Sequence, residues 1–206
     1  MTLSLDPGVI VVSFQTRGAQ HMLISFGTMP RGGYGAANEF TTTGPYNGSV
    51  AFQVPKKGTY ELNISSTGAW TTEVSRLTVK DPLQVPVNLT GAGTVVTPVF
   101  YLERGQYIFE RNETLFSSPL FFIQHVNGSP LMDPNNTYVQ PGFSGISPEP
   151  FRFITIPESG YYFMCVLSGK SPDNWSASIV SLSAIPRGNQ GPAINWSIGN
   201  GTTERT

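Results

Sequence analysis

One short stretch occurs twice in this chain and constrains the kind of fold that the chain can form. Residues 52–60 read F-Q-V-P-K-K-G-T-Y and residues 154–162 read I-T-I-P-E-S-G-Y-Y, 102 places further on. In each copy an alternating apolar run ends at a proline, and a glycine and a tyrosine begin a second alternating run. Proline fixes φ at about −65° and glycine accepts a positive φ, so each copy predicts a hairpin of two strands joined by a tight turn.

Two further matches extend this repeat. W-T-T-E-V-S-R-L-T-V at 70–79 lines up with W-S-A-S-I-V-S-L-S-A at 175–184, 105 places on, and Arg17–Gly18 lines up with Arg104–Gly105, 87 places on. Matched segments in the same order, with shifts that grow along the chain, predict a duplication with insertions. Chance matching of short turn patterns is the alternative.

The rest of the chain favours strands over helices. Glycine (22) and proline (17) are abundant, and no window of 11 residues keeps a helical period. Many short alternating runs, separated by turn residues, predict an all-β fold of two tandem antiparallel β-sandwiches with jelly-roll or Ig-like topology and short terminal arms. The predicted units are an N-terminal arm at 1–8, a first sandwich at 9–82, a linker at 83–87, a second sandwich at 88–186 and a polar tail at 187–206.

Low charge limits the partners of such a chain. Twelve Lys+Arg stand against 13 Asp+Glu, so the basic footprint of a nucleic-acid-binding protein and a polybasic membrane patch are both missing. No apolar run reaches the ~18 residues of a membrane span, so we expect no membrane insertion. No signal peptide is visible at the N-terminus. Either a leader was removed before this numbering begins, or the protein assembles without one, as virion proteins do.

Asparagine sequons suggest what solvates this poorly charged surface. Chance placement predicts roughly two or three N-x-S/T sequons in a chain with this much Asn, Ser and Thr. Nine are present, at Asn47, Asn63, Asn88, Asn112, Asn127, Asn135, Asn174, Asn195 and Asn200. The excess favours an N-glycosylated extracellular surface, and crowding of Asn, Ser and Thr into turns is the alternative. Asn63 favours glycans, because it lies out of phase with Leu62 and Ile64 and is predicted to face solvent.

Residue types that carry catalysis or bind metals are scattered. His21 and His125 each lack a second ligand at metal-binding spacing, and the single cysteine, Cys165, excludes thiolate zinc sites. Asp133, Asn135 and Thr137 begin a calcium-loop spacing that lacks its later Gly and Glu. Four carboxylates lie on or beside predicted strands: Glu61, Glu73, Glu103 and Glu110. Only Glu110 has another carboxylate close to it in the sequence, that of Glu113. We therefore predict no enzyme, no metal and no cofactor.

The strand that follows the turn in the second copy, at 154–162, is predicted to form part of an interface. Tyr161, Phe163 and Cys165 make its second face apolar, whereas the matching face in the first copy carries Glu61, Asn63 and Ser65. A strand that is apolar on both faces requires a cover. The other domain, the segment 193–198 or another subunit could supply it, and we expect a subunit or domain interface there.

The tail contains one apolar segment outside both predicted domains. In A-I-N-W-S-I at 193–198, Ile194, Trp196 and Ile198 share one face of a strand. This segment could add to an edge of its own domain or to an edge of a neighbouring subunit, as a donor strand. The N-terminal arm, with Leu3 and Leu5, has the same two interpretations.

Tandem β-sandwiches with few charges, many sequons and no catalytic motif resemble turret or spike proteins of icosahedral archaeal viruses, or glycosylated subunits of archaeal surface filaments. The resemblance implies a structural protein of a virion or extracellular surface assembly, such as a turret, spike or minor capsid component. Its partners would be further copies, other structural subunits and host surface glycans. The alternatives are a filament subunit joined by donor strands and a carbohydrate-binding module whose exposed aromatics stack on sugars, with candidates Tyr34, Tyr46, Trp70, Tyr138 and Trp175.

Overall fold

The computed structural model describes residues 1–17, 21–28, 38–42, 46–113, 119–132, 151–167 and 174–184. These residues form antiparallel β-sheets and one short 3-10 turn at Leu182–Ala184, and no α-helix occurs among them. The predicted all-β fold is therefore confirmed.

Seven strands from the first part of the chain form two sheets. Sheet I has the order β1-β6-β3-β4 and sheet II has the order β5-β2-β7, and every pairing is antiparallel. The strands are β1 (Thr2–Leu5), β2 (Gly8–Arg17), β3 (Met22–Thr28), β4 (Asn38–Thr42), β5 (Tyr46–Val54), β6 (Gly58–Ser66) and β7 (Ala69–Arg76).

Eight strands from the second part form two more sheets. Sheet III has the order β10-β14-β12, with β9 also pairing with β14, and sheet IV has the order β13-β11-β15-β8. The strands are β8 (Val87–Ala92), β9 (Val95–Val96), β10 (Phe100–Leu102), β11 (Gly105–Glu113), β12 (Leu120–His125), β13 (Phe151–Ile156), β14 (Gly160–Leu167) and β15 (Asn174–Ser181).

Each pair of sheets encloses its own apolar core. Between sheets I and II the ring of Phe26 stacks on that of Phe52, with centroids 5.3 Å apart. Between sheets III and IV the ring of Phe109 meets the edge of Phe121, also at 5.3 Å. The buried positions alternate along the strands, as the period of two in the sequence requires.

The repeated stretch forms a crossing between sheets, so the predicted hairpins are wrong. Strand β5 lies in sheet II and β6 in sheet I, and likewise β13 lies in sheet IV and β14 in sheet III. Val54 before the turn and Tyr60 after it are both buried in one core. The turn therefore carries the chain from one sheet to the facing sheet, which keeps both side chains inside. The chain also crosses between facing sheets from β2, in sheet II, to β3, in sheet I.

The same hydrogen bond closes both copies of this turn. The Tyr60 hydroxyl donates to the carbonyl oxygen of Lys56 at 2.7 Å, and the Tyr162 hydroxyl donates to that of Glu158 at 2.6 Å. Each tyrosine thus packs its ring into the core and uses its hydroxyl to hold the chain four residues earlier.

Strand registers show that the sheets repeat position by position. Leu3 lies opposite Tyr60 in the pairing of β1 with β6, and Phe100 lies opposite Tyr162 in the pairing of β10 with β14. By register, β1, β2 and β3 correspond to β10, β11 and β12 at a shift of 97 places. Strands β5 and β6 correspond to β13 and β14 at 102 places, and β7 corresponds to β15 at 105.

The predicted match of Arg17 with Arg104 at 87 places is wrong. Arg17 ends β2, whereas Arg104 precedes β11, which is the counterpart of β2. The shared Arg-Gly dipeptide therefore stands at opposite ends of equivalent strands.

Candidate functional site

The apolar outer face of β14 lies at a junction between the two sets of sheets. Phe163 is fully buried and packs in one cluster with Val9 of β2 and with Val99. Ala51 of β5 and Cys165 of β14 pack at the border of that cluster. Side chains of sheet II thus cover part of the β14 face whose two-sided apolar pattern predicts an interface.

Backbone and hydroxyl groups join the sheets along the same junction. The Ser49 amide donates to the carbonyl oxygen of Thr94 at 3.0 Å, and the Val96 amide donates to the Ser49 hydroxyl at 2.9 Å. The Thr94 amide donates to the hydroxyl of Tyr46. These bonds link β5 to the chain around β9, so the apolar cluster has polar contacts at its border.

The remaining members of the predicted interface differ in exposure. The Cys165 thiol is desolvated, which raises its pKa to about 12, and its Sγ lies 3.9 Å from Oε1 of Gln124. Tyr161 is 42% exposed, with its ring 5.3 Å from that of Tyr101 on the neighbouring strand. Cys165 is thus a packing residue, and the two tyrosines form a partly exposed pair. The other predicted members, Ile194, Trp196 and Ile198, lie outside the described residues.

An apolar groove opens between β1 and β7. Both are the last described strands on their side of sheets I and II. The groove encloses about 420 Å³, with Leu3 and Leu5 on one wall and Val74 and Arg76 on the other. These leucines and Val74 are partly buried against the core between sheets I and II. The groove therefore exposes one side of that core.

The equivalent place in the second pair of sheets is occupied by β8. This strand pairs with β15 and buries Val87 and Leu89 in the core. Its Gly91 lies against Trp175, since a Cβ atom at Gly91 would come within 2.4 Å of the indole. The Trp175 indole nitrogen also donates to the carbonyl oxygen of Gly93 at 3.0 Å. Strand β8 and the residues just after it thus cover the outer margin of β15.

A second exposed apolar surface lies on β13, the last described strand of sheet IV on the side away from β8. Phe153 is 66% exposed, and its ring meets that of Phe151 at 6.0 Å. Phe153 pairs with Ile108, which in turn pairs with Val180, and both of these are half-buried. One row of side chains across three neighbouring strands of this outer face is therefore apolar, and the exposed Glu110 lies in the next row, opposite Phe151.

The sequons occupy several surfaces. Asn47, Asn88, Asn127 and Asn174 are exposed, and Asn63 is half-buried on β6 rather than fully solvent-facing. Oδ1 of Asn127 accepts bonds from the amide and hydroxyl of Ser129, which forms a local turn. Asn112 lies on β11. Asn135, Asn195 and Asn200 lie outside the described residues.

The candidate catalytic and ligand residues do not converge. Glu61, Glu73 and Glu110 lie on sheets I, II and IV respectively, and Glu103 precedes β11. His21 is exposed, whereas Nδ1 of His125 lies 3.7 Å from a Glu158 carboxylate oxygen. Within the described part of the chain, no three His, Cys, Asp or Glu residues come together to hold a metal ion. Asp133, Asn135 and Thr137 lie outside it.

Two of the predicted sugar-stacking aromatics are not available. Trp175 and Tyr46 are buried, because β8 covers the first and the junction encloses the second. Trp70 is 40% exposed, and Tyr34 and Tyr138 lie outside the described residues.

Sequence reasoning missed Phe151 and Phe153 and the groove beside β7. The phenylalanines occupy alternate positions in F-R-F-I-T-I, and this pattern identifies a strand face without showing whether that face is covered.

No protein-family model matches the chain, and no curated protein is significantly similar to it. None of the helical segments among the described residues has the length and apolar character of a membrane span.

Proposed function

We propose that this chain is a structural protein of a glycosylated virion or extracellular surface assembly, and that it joins its neighbours through β-sheet contacts. The observation that carries the proposal is the exposure of large aromatic side chains on strands at the margins of sheets. Phe153 lies on β13 and Trp70 on β7, and both are strongly exposed.

Exposed apolar margins are unusual in proteins that act alone. Strands at the edges of sheets offer unpaired backbone groups, so monomeric proteins protect them with charged residues, prolines or bulges. The outer face of β13 carries Phe151, Phe153 and Thr155, with no charge among them. Two exposed phenylalanines that contact each other, as Phe151 and Phe153 do, mark a contact with another molecule. Further copies or other structural subunits are the partners that we propose for this surface, because a sheet face packs well against the sheet face of another subunit.

The architecture that we propose is two tandem β-sandwiches of jelly-roll type. Its support is the separation of the two principal cores, one built from residues 3–74 and the other from residues 83–179. Strands that follow each other in the chain often lie in facing sheets, as β5 and β6 do. Repeated crossing between facing sheets is typical of jelly rolls.

Glycans would solvate the rest of this poorly charged surface. The exposed sequon asparagines, Asn47, Asn88, Asn127 and Asn174, lie away from β13. We expect mass spectrometry of protein from a glycosylating host to find glycans on these four sites. Unmodified asparagines at all four would remove the glycoprotein part of the proposal.

The test of assembly compares a substitution on the outer face of β13 with a control on another sheet. We expect Phe153→Lys to weaken self-association, or binding to a co-purified subunit, at least tenfold in light scattering. Ser65→Lys is the matched control, because Ser65 is an exposed strand residue on β6 of sheet I, outside the proposed contact face. A wild-type chain that stays monomeric at all concentrations, without a partner in its native particle, would contradict the proposal.

A further inference from the structure

We propose that segment 193–198 of a second copy of this chain binds in the groove between β1 and β7, as an added strand beside β7. The inference rests on the proposed function, and it names the segment and the acceptor that would join one subunit to the next.

The first argument is a difference between equivalent sheets. Strand β7 corresponds to β15 by register. Trp70 of β7 pairs with Thr16 of β2, and Trp175 of β15 pairs with Glu113, the equivalent position on β11. Strand β8 pairs with the outer side of β15, whereas no described strand pairs with the outer side of β7. The groove lies where a counterpart of β8 would stand. A strand added beside β7 would therefore hold the position that β8 holds beside β15.

The second argument is a likeness between the tail and β8. Residues 87–90 read V-N-L-T and residues 194–197 read I-N-W-S, so both alternate an apolar residue with a polar one and both contain a sequon. In β8 the apolar positions, Val87 and Leu89, are buried and the polar positions are exposed. The same alternation would bury Ile194 and Trp196 and leave the sequon facing solvent.

The register of β8 predicts how the segment would pair. Val87 lies opposite Ile179 and Leu89 opposite Ala177, and the counterparts of these two on β7 are Val74 and Thr72. Ile194 would then lie beside Val74, and Trp196 beside the smaller Thr72, where the groove has room for an indole. Asn195 would lie opposite Glu73, on the outer face. The strands would be antiparallel, as β8 and β15 are.

Chain length favours a second copy as the donor. Within one chain, the tail would start after the turn at Leu182–Ala184, which follows β15 in sheet IV. From there it would have to pass sheet III and reach the far margin of sheet II. Two sheet spacings and two strand spacings make that path ~30 Å. The nine Cα–Cα steps from residue 184 to residue 193 span at most ~30–32 Å, so the tail would reach its own groove only when almost fully extended. A neighbouring subunit has no such limit.

Single-cysteine variants test the pairing directly. Glu73→Cys is mixed with Asn195→Cys under mild oxidation, so that any disulfide between these positions joins two copies. We expect linked peptides containing positions 73 and 195 at least tenfold more often than with Ser65→Cys, an exposed control position on β6. All of these variants also carry Cys165→Ala, so that the native thiol takes no part in the oxidation. Asn195→Gln, which removes only the sequon, should assemble as the wild type does.

Assembly measurements separate failure of this inference from failure of the proposed function. We expect Trp196→Asp and Val74→Asp each to reduce assembly at least tenfold. A mixture of the two variants should stop at dimers, because the intact tail of the Val74→Asp chain can bind only in the intact groove of the Trp196→Asp chain. Normal assembly by Trp196→Asp, with no excess of the 73–195 disulfide, would overturn the inference and leave the proposed function standing. A chain that carries both Glu73→Cys and Asn195→Cys and forms mainly a disulfide within one monomer would also overturn it, because that product would place the tail in its own groove. A wild-type chain that never assembles would end both proposals.

Discussion

Trp70 and Trp175 hold equivalent places in two sheets, yet the first indole is 40% exposed and the second 3%. Both residues begin a strand that pairs with the long central strand of its sheet. The difference comes from β8, which covers Trp175 and has no described counterpart beside Trp70. At one register position, therefore, the core between sheets III and IV is covered and the core between sheets I and II is open.

Substitution of these two tryptophans should have very different effects on stability. Trp175→Ala removes a buried ring and its bond to the carbonyl oxygen of Gly93, so we expect the free energy of unfolding to fall by ~3–5 kcal/mol. Trp70→Ala should cost no more than about 1.5 kcal/mol in the isolated chain, because much of its ring is already in water. Urea denaturation of both variants measures the difference. Equal losses would show that Trp70 is covered in solution.

Position 91 requires glycine because the Trp175 ring packs directly against it. Gly91→Ala would place a methyl group 2.4 Å from the Trp175 ring, so we expect a loss of about 1–3 kcal/mol from overpacking. Gly27→Ala is the matched control, since no atom lies within 4 Å of a Cβ at that position. Thermal denaturation should show a lowered melting temperature for the first variant and an unchanged or slightly raised one for the second. A neutral Gly91→Ala would mean that β8 can move away from β15.

The sequence predicted where the strands lie because alternation is a local property. Phe52, Val54, Tyr60 and Leu62 are buried as their phase requires. Alternation says which side chains face a core, but it does not say which sheet a strand joins. A turn that keeps Val54 and Tyr60 inside is compatible with a hairpin on one sheet and with a crossing between two sheets. Pairing with strands far along the chain decides between them, as β2 does with β5 and β7.

For the candidate surfaces, too, the sequence predicts which strand faces are apolar but not whether another part of the chain covers them. The apolar second face of β14 follows from the residue types at 161, 163 and 165, but its covering residues come from Val9 and Ala51, more than 100 places away. The exposure of Phe153 depends on the position of β13 at the margin of its sheet. That position is set by all of the pairings in sheet IV together, and no stretch of sequence around Phe153 contains it.

The tyrosine hydroxyls that close the two equivalent turns should contribute equally. Tyr60→Phe and Tyr162→Phe each remove one bond to a backbone carbonyl oxygen, at Lys56 and Glu158, so we expect losses of about 0.5–1.5 kcal/mol in each case. Tyr161→Phe is a control on the same strand as Tyr162 and should change stability by less than about 0.5 kcal/mol, since Tyr161 is 42% exposed. Denaturant unfolding compares all three variants. A large effect of Tyr161→Phe would reveal a further role for its hydroxyl.

Burial of Cys165 should make the fold sensitive to alkaline pH. Its pKa is raised from 9.0 to about 12 by desolvation, so the folded chain keeps the thiol proton over a pH range in which the unfolded chain loses it. The unfolded state then binds fewer protons, and stability falls as pH rises from about 9 towards 12, by at most about 1.4 kcal/mol per pH unit for this group. Cys165→Ala removes the titrating group, so the free energy of unfolding should fall less between pH 8 and pH 10.5 than in the wild type. Equal slopes for the two proteins, or a thiol that reacts rapidly with a disulfide reagent at pH 8 in the folded chain, would show that Cys165 is accessible to water.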